Sequence, residues 1–152
     1  MNLDVPYPFL DLDWFFIDIE GRIAHAASGG GKLPVSISQN YPYDFLLTFF
    51  KSLPSLGDPE VNPRLEKYVT FRNDKERKQY LASFIQMAQR GLYSFDKSDV
   101  TRTLDGRYHL VASPKIKLSI AMLPPEVASQ LSITKINRRI EEINSLEVSE
   151  VA

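Results

Sequence analysis

Strand-like and helix-like patterns alternate along this chain in short segments, and that alternation constrains the fold more than any other feature. Residues 14–18 are rich in aromatic and other β-favouring side chains, and Glu20 and Gly21 then supply a turn. A second strand-like run follows at 22–27. Two such runs joined by a short turn predict a β-hairpin.

Two later segments have helical spacing. Apolar side chains recur every three or four residues from Phe45 to Leu53, and Pro54 ends that pattern. The second pattern begins at Asn73, with Glu76 three residues further on as in a capping box, and it ends at Gly91. The sequence therefore predicts two helices separated by a proline-rich connection.

The rest of the chain predicts more strands and two further helices. Strands are expected at 92–96, 107–113 and 116–121, the last two as a hairpin, with a short helix from Pro124 toward Leu131 and a final helix over 134–146. We expect one α+β domain over 1–152, with an extended arm at 1–10 and a frayed tail at 147–152. Its sheet is predicted to be mainly antiparallel, with about five strands and with helices packed on one face.

Charge and composition exclude several classes of protein. Lys and Arg number 18 and Asp and Glu 19, so no overall positive field attracts nucleic acid. The chain has no cysteine, which rules out disulfides and thiolate metal sites and is typical of a cytoplasmic protein. The N-terminus lacks the pattern of an export signal, and no apolar run approaches the roughly 20 residues of a membrane span.

The glycine run Gly29, Gly30 and Gly31 comes directly before Lys32 and suggests a phosphate-binding loop. However, Ala26 occupies the position of the first P-loop glycine and Leu33 follows the lysine, so a strand-exit loop is favoured. His25 and His109, the two histidines, lack metal-ligand spacing, and we predict no metal or cofactor. One functional hypothesis is a small enzyme or small-molecule-binding domain, with a pocket near Gly29–Gly31 and His25 as its polar contact.

Residues 1–21 contain five acidic side chains and no basic one. Aromatic residues lie among these acids, so the rings can form the core while the acids face solvent. Alternatively, the hairpin region forms an acidic and aromatic surface that binds a basic protein. In that hypothesis Trp14 anchors the partner, and the steering acids are Asp11, Asp13, Asp18 and Glu20.

Several blocks of the chain resemble small uncharacterised bacterial proteins of the immunity-like type. The blocks are 13–18 with 20–24, Ser28-Gly29-Gly30, 91–96, 108–114 and Leu123-Pro124. The resemblance implies a bacterial protein that binds another protein such as a toxin, and it assigns no catalytic residue. Our leading hypothesis from the sequence is therefore a protein-binding domain that binds neither nucleic acid nor membrane, with its oligomeric state left open.

Overall fold

The computed structural model describes residues 11–37, 43–102 and 104–152, and within them it has the predicted α+β class. The predicted arm at 1–10 lies outside the described residues. The helices are α1 (Tyr43–Ser52), α2 (Asp74–Gln89) and α3 (Pro125–Leu131). The strands are β1 (Asp13–Ile17), β2 (Ile23–Ala27), β3 (Glu60–Val61), β4 (Tyr93–Lys97), β5 (Arg107–Ser113) and β6 (Ser145–Glu147).

The six strands form one curled, mixed sheet in the order β1-β2-β4-β5-β3, with β6 also paired to β5. The β1–β2 hairpin is present, with Asp13 opposite Ala27 and Ile17 opposite Ile23. However, β4 lies parallel to β2, so the prediction of a mainly antiparallel sheet is wrong. The connection from β2 to β4 runs through α1 and α2, and a long helical crossover of this kind returns the chain in the same direction.

Helices α1 and α2 lie close to their predicted positions and pack against the same sheet face. The Asn73 side chain accepts a hydrogen bond from the backbone N–H of Glu76, which confirms the predicted cap of α2. Phe50 of α1 lies 5.1 Å from Phe15 of β1 between ring centroids, and Phe84 of α2 lies 6.1 Å from the His25 ring of β2. The alternation of side chains in the strands therefore places His25 beneath the helices.

The predicted strand at 116–121 is absent, because its backbone groups bind elsewhere. Leu118 N–H donates to the Gly91 carbonyl and Ile120 N–H donates to the Gly21 carbonyl. The segment therefore runs past the α2–β4 turn and the β1–β2 turn. It ends in a short 3-10 helix at Ile120–Met122. The free edge of β5, which it was predicted to join, is occupied by β3 and β6.

The predicted helix at 134–146 is also absent. Residue 135 forms an isolated bridge with Ile17, and Ile140 N–H donates to the buried carboxylate of Asp18. Contacts with distant residues thus replace helical hydrogen bonds. Three apolar side chains of the segment are nevertheless buried, those of Ile136, Ile140 and Ile143. The tail is packed rather than frayed, since Val151 is buried and Ala152 exchanges two backbone hydrogen bonds with Lys135.

Candidate functional site

The parallel strands β2 and β4 end at the same edge of the sheet, which we call the loop end. It consists of residues 11–13 at the start of the hairpin, 28–31 after β2 and 98–106 after β4, except residue 103, which lies outside the described residues. In open sheets with parallel strands, ligands commonly bind beyond the carboxyl ends of those strands. Two hydrogen-bonded chains of polar side chains lead toward this edge.

The first chain consists of Ser94, His25 and Asp13. The strand register places His25 beside Ser94, and both side chains are buried. His25 Nε2 lies 2.6 Å from Asp13 Oδ1, and His25 Nδ1 lies 2.7 Å from Ser94 Oγ. His25 Nε2 donates to the Asp13 carboxylate, while Nδ1 accepts the Ser94 hydroxyl proton when the ring is neutral and donates to Ser94 Oγ when the ring is protonated.

The second chain consists of Ser98, His109, Tyr80 and Asp96. Tyr80 donates its only proton to Asp96 Oδ2 at 2.7 Å, so its oxygen accepts from His109 Nε2 at 3.2 Å. His109 Nδ1 is then left to accept from Ser98 Oγ at 3.0 Å. The ring of Tyr68 stacks on His109 with centroids 4.9 Å apart and holds it in place. This chain ends on Asp96 as the first ends on Asp13.

The two terminal carboxylates, which we call the carboxylate pair, flank Ala27. Asp13 pairs with Ala27 from β1, and Asp96 pairs with Ala27 from β4, so all three side chains are on one sheet face. The Asp13 side chain is 39% exposed, and Asp96 and Ala27 are both partly exposed. Ala27 itself packs in part against the apolar cluster that contains Leu81 and Phe84.

The surroundings shift the pKa values of the pair in opposite directions. Burial raises the pKa of Asp96 to about 6, and the charge of Asp11 adds to this effect, although the hydrogen bond from Tyr80 opposes it. Burial also acts to raise the pKa of Asp13, but the hydrogen bond and charge of His25 outweigh it and hold that pKa below its ordinary value. Near pH 6 one carboxylate is therefore ionised while the other still carries a proton in part.

Burial also lowers the pKa of His109 to about 4, so this ring is neutral at physiological pH. A neutral ring carries one proton, as the direction of the second chain requires. The site therefore combines one chain of fixed hydrogen-bond direction, the second, with two carboxylates of different protonation. Pairs of this kind perform general acid–base chemistry.

The glycine loop has a steric reason for its composition. Gly29 and Gly30 have φ of 56° and 77°, in the left-handed region that glycine adopts readily. A Cβ on Gly31 would lie 2.5 Å from both Cδ and Cε of Lys97, so a larger residue there would require the Lys97 side chain to move. The loop therefore belongs to the loop end but lies against Lys97, on the sheet face opposite Asp96.

The structure divides the acids of the predicted binding surface. Asp11 is exposed and lies next to the carboxylate pair, whereas Asp18 and Glu20 lie at the other end of the hairpin. Asp18 is 1% exposed and accepts hydrogen bonds from three backbone N–H groups, those of Glu20, Arg22 and Ile140. Glu20 is exposed and lies 3.8 Å from Arg139.

The predicted anchor, Trp14, is fully buried and its indole N–H donates to the Tyr108 hydroxyl at 3.3 Å. A side chain in this position stabilises the core and is not available on the surface of the folded chain. The loop end thus contains Asp11, Asp13 and the glycine loop, from two separate hypotheses, and His25 is joined to it by its hydrogen bond to Asp13, on the sheet face opposite the one that Gly31 covers. The loop end does not include Trp14, Asp18 or Glu20.

Sequence reasoning missed Ser94, Asp96 and Tyr80, and it gave His109 no role. A usable signal was present, since Ser94 and Asp96 alternate with Tyr93, Phe95 and Lys97 in a strand that directly follows a helix. Because both faces of that strand are covered, the polar side chains on it required partners.

Comparison of the chain with protein-family models, with curated proteins and with solved structures finds no match. Within the described residues, no group of three or more His, Asp or Glu side chains is arranged to hold a metal ion. In the same part of the chain, no helix combines the length and hydropathy needed to cross a bilayer. The function must therefore be inferred from the site itself.

Proposed function

We propose that this protein is a small enzyme or small-molecule-binding domain whose ligand lies over Ala27, between Asp13 and Asp96. The observation that supports this proposal is the carboxylate pair, in which each carboxylate ends a separate serine–histidine hydrogen-bond chain. Buried polar chains cost stability unless every group is satisfied, and groups with shifted pKa values are common at functional sites. This proposal keeps the pocket near His25 and moves its reactive groups to the two carboxylates.

The chemistry follows from the two environments. Asp13, ionised and oriented by His25, would accept a proton from the ligand, and Asp96 would donate one when it is protonated. Ser94 and His25 are too deeply buried to touch a ligand, so they act as positioning residues. Tyr80 and His109 are likewise positioning residues for Asp96.

The test is a substitution at Ala27, the residue between the two carboxylates. Ala27→Leu places a larger side chain at the proposed site, and Ala82→Leu, on the exposed face of α2, is the matched control. Binding is measured by ligand-observed NMR with defined panels of amines, carboxylic acids, sugars and nucleosides. We expect at least one compound to bind the wild type and the control, and Ala27→Leu to weaken its binding about tenfold or more, equivalent to 1.4 kcal/mol.

Thermal unfolding of both variants checks that they are folded. If no panel compound binds the wild type, or if Ala27→Leu binds as well as the control, this proposal fails.

A second proposal retains the protein-binding function and places it at the loop end. Val100 and Leu104 are 60% and 76% exposed, and Val100 lies next to Gly29. Exposed apolar side chains at the same end of the sheet as the acid Asp11 would suit a basic protein whose binding surface has an apolar centre.

Its test combines Asp11→Lys with Leu104→Asp. A partner captured from the native host must rebind as a purified protein, and its binding must weaken as salt rises. We expect the double variant to lose this partner while Glu126→Lys, far from the loop end in α3, retains it. Retention by the double variant would exclude this surface.

A further inference from the structure

A polar cavity lies at the start of β4, whereas Asp96 of the carboxylate pair lies near the end of that strand. Its volume is about 380 Å³, and its polar lining includes Asp58, Glu60, Tyr93, Ser113, Lys115 and Lys117. This volume is at the lower end of the range of small-molecule pockets. The cavity is therefore large enough for a small polar molecule and is separate from the proposed site.

Three neighbouring strands build one wall of this cavity. Glu60 of β3 lies opposite Ser113 of β5, and Ser94 of β4 lies opposite Ala112 of β5. Tyr93 is therefore level with Ser113, so the side chains of Tyr93, Ser113 and Glu60 follow one another across the end of the sheet. The paired backbone of the sheet holds these three groups in place.

Tyr93 brings a buried hydrogen-bond donor to the cavity, since the residue is only 3% exposed. Lys117 donates to the Tyr93 hydroxyl and also, at 3.1 Å, to Glu141 Oε2. Because an ammonium group is only a donor, the phenol keeps its own proton, and no hydrogen bond within the described residues uses that proton. Buried donors normally have an acceptor, and a bound ligand can supply one here.

The charged groups of the cavity differ in how they are paired. Lys117 and Glu141 lie 3.1 Å apart and neutralise each other. In the part of the chain that the structure describes, Asp58, Glu60 and Lys115 form no ion pair within 4 Å, although all three line the same cavity. The cavity thus presents two carboxylates and one ammonium group to a ligand.

We propose that this cavity binds a free basic amino acid such as L-lysine. The two ammonium groups of the ligand bind Asp58 and Glu60, and its carboxylate accepts hydrogen bonds from Lys115 and from the Tyr93 hydroxyl. The ligand therefore carries the two positive charges and one negative charge that complement the unpaired groups. A neutral or acidic amino acid leaves at least one cavity carboxylate unmatched, and this mismatch provides the specificity.

The test compares L-lysine with two compounds that each lack one of its charges. L-norleucine keeps the carbon chain without the side-chain ammonium, and cadaverine keeps both ammonium groups without the carboxylate. Titrations followed by ¹H–¹⁵N NMR at constant pH and ionic strength measure binding, and the amides of Glu60, Tyr93 and Lys115 report on the cavity. We expect L-lysine to bind about fivefold more tightly than either compound, because each comparator loses a charge pair that solvent partly screens.

Lys115→Gln tests the contact with the ligand carboxylate. It should weaken L-lysine about fivefold without weakening cadaverine, which has no carboxylate for Lys115 to bind. Lys78→Gln, exposed on α2, is the matched control and should bind L-lysine as the wild type does. A purely structural effect of Lys115 would weaken both ligands equally.

The proposal is overturned if L-lysine causes no saturable shift at the cavity amides, if either comparator binds as tightly, or if Lys115→Gln retains wild-type affinity. Shifts confined to the amides of Ala27 and Asp96 would place L-lysine at the carboxylate pair instead and would also overturn it. Neither result bears on the acid–base role of the carboxylate pair, because the Ala27→Leu experiment tests that site separately.

Discussion

Tyr80 controls the protonation of Asp96 through one hydrogen bond. The phenol donates to the carboxylate and favours its ionised form, so it lowers the pKa that burial has raised to about 6. Tyr80→Phe keeps the ring that packs on Phe71 and Phe84 but removes the donor. We expect the pKa of Asp96 to rise further, measured by the carboxyl ¹³C shift of Asp96 against pH.

Tyr68→Phe is the control for this prediction. Its ring would still stack on His109, and the Tyr68 hydroxyl has no part in the hydrogen-bond chain to Asp96. The control should titrate as the wild type does. An unchanged or lower pKa of Asp96 in Tyr80→Phe would show that the chain does not act on this carboxylate.

A hydrogen-bond partner also lowers the pKa of Asp13, and here that partner is His25. His25 holds the pKa of Asp13 below its ordinary value against the effect of burial. His25→Gln removes the charge and leaves a neutral amide near the carboxylate, so the pKa of Asp13 should rise. The carboxyl ¹³C titration of Asp13 measures this change, and the prediction is contradicted if the midpoint stays where it is in the wild type.

At the scale of the elements, the turn between α2 and β4 depends on Gly91. This residue has φ of 96°, and a Cβ there would lie 2.6 Å from Leu118 Cγ and 2.9 Å from the backbone nitrogen of Leu118. Gly91→Ala should therefore lower the free energy of unfolding by about 3 kcal/mol, from backbone strain and overpacking together. Urea unfolding measures the change.

Gly30→Ala is the matched control, because Gly30 also has positive φ, 77°, but a Cβ there meets nothing within 4 Å. It should cost about 1 kcal/mol from the backbone alone. Equal losses in the two variants would mean that the contact with Leu118 has no role in the turn.

The elements that the sequence predicted well are those held by local interactions. The cap of α2 needs only Asn73 and Glu76, and the β1–β2 hairpin needs its own turn and alternation. The region after β5 has no such local control. Its backbone binds Gly21, Gly91 and Asp18, which are far away in sequence, and patterns within a short window cannot show those partners.

The site was predicted in part for the same reason. His25 and Asp13 are diagonal neighbours on one face of the same hairpin, so the predicted hairpin brings them close. Asp96 joins them only because β4 pairs in parallel with β2, and this pairing depends on the crossover through α1 and α2. The aromatic residues of the hairpin were ambiguous in the sequence, and burial assigns Trp14, Phe15 and Phe16 to the core.

At the scale of the whole molecule, two buried groups have opposite effects on stability as pH changes. The pKa of Asp96 is raised to about 6 in the fold, so from its ordinary value of 3.8 up to 6 the folded state binds the extra proton and stability falls as pH rises. The pKa of His109 is lowered from 6.5 to about 4, so between these values the unfolded state binds the extra proton and stability rises with pH. Between about pH 4 and 6 the two slopes oppose each other.

Single substitutions should reveal each slope. Relative to the wild type, the free energy of unfolding of Asp96→Asn should increase with pH by up to about 1.4 kcal/mol per unit between pH 4 and 6, because only the His109 effect remains. His109→Gln should show a decrease of similar size. Urea unfolding at half-unit pH steps measures both, and the double variant should return to the slope of the wild type. If both single variants follow the wild-type slope, neither group has the shifted pKa on which the proposed acid–base pair depends.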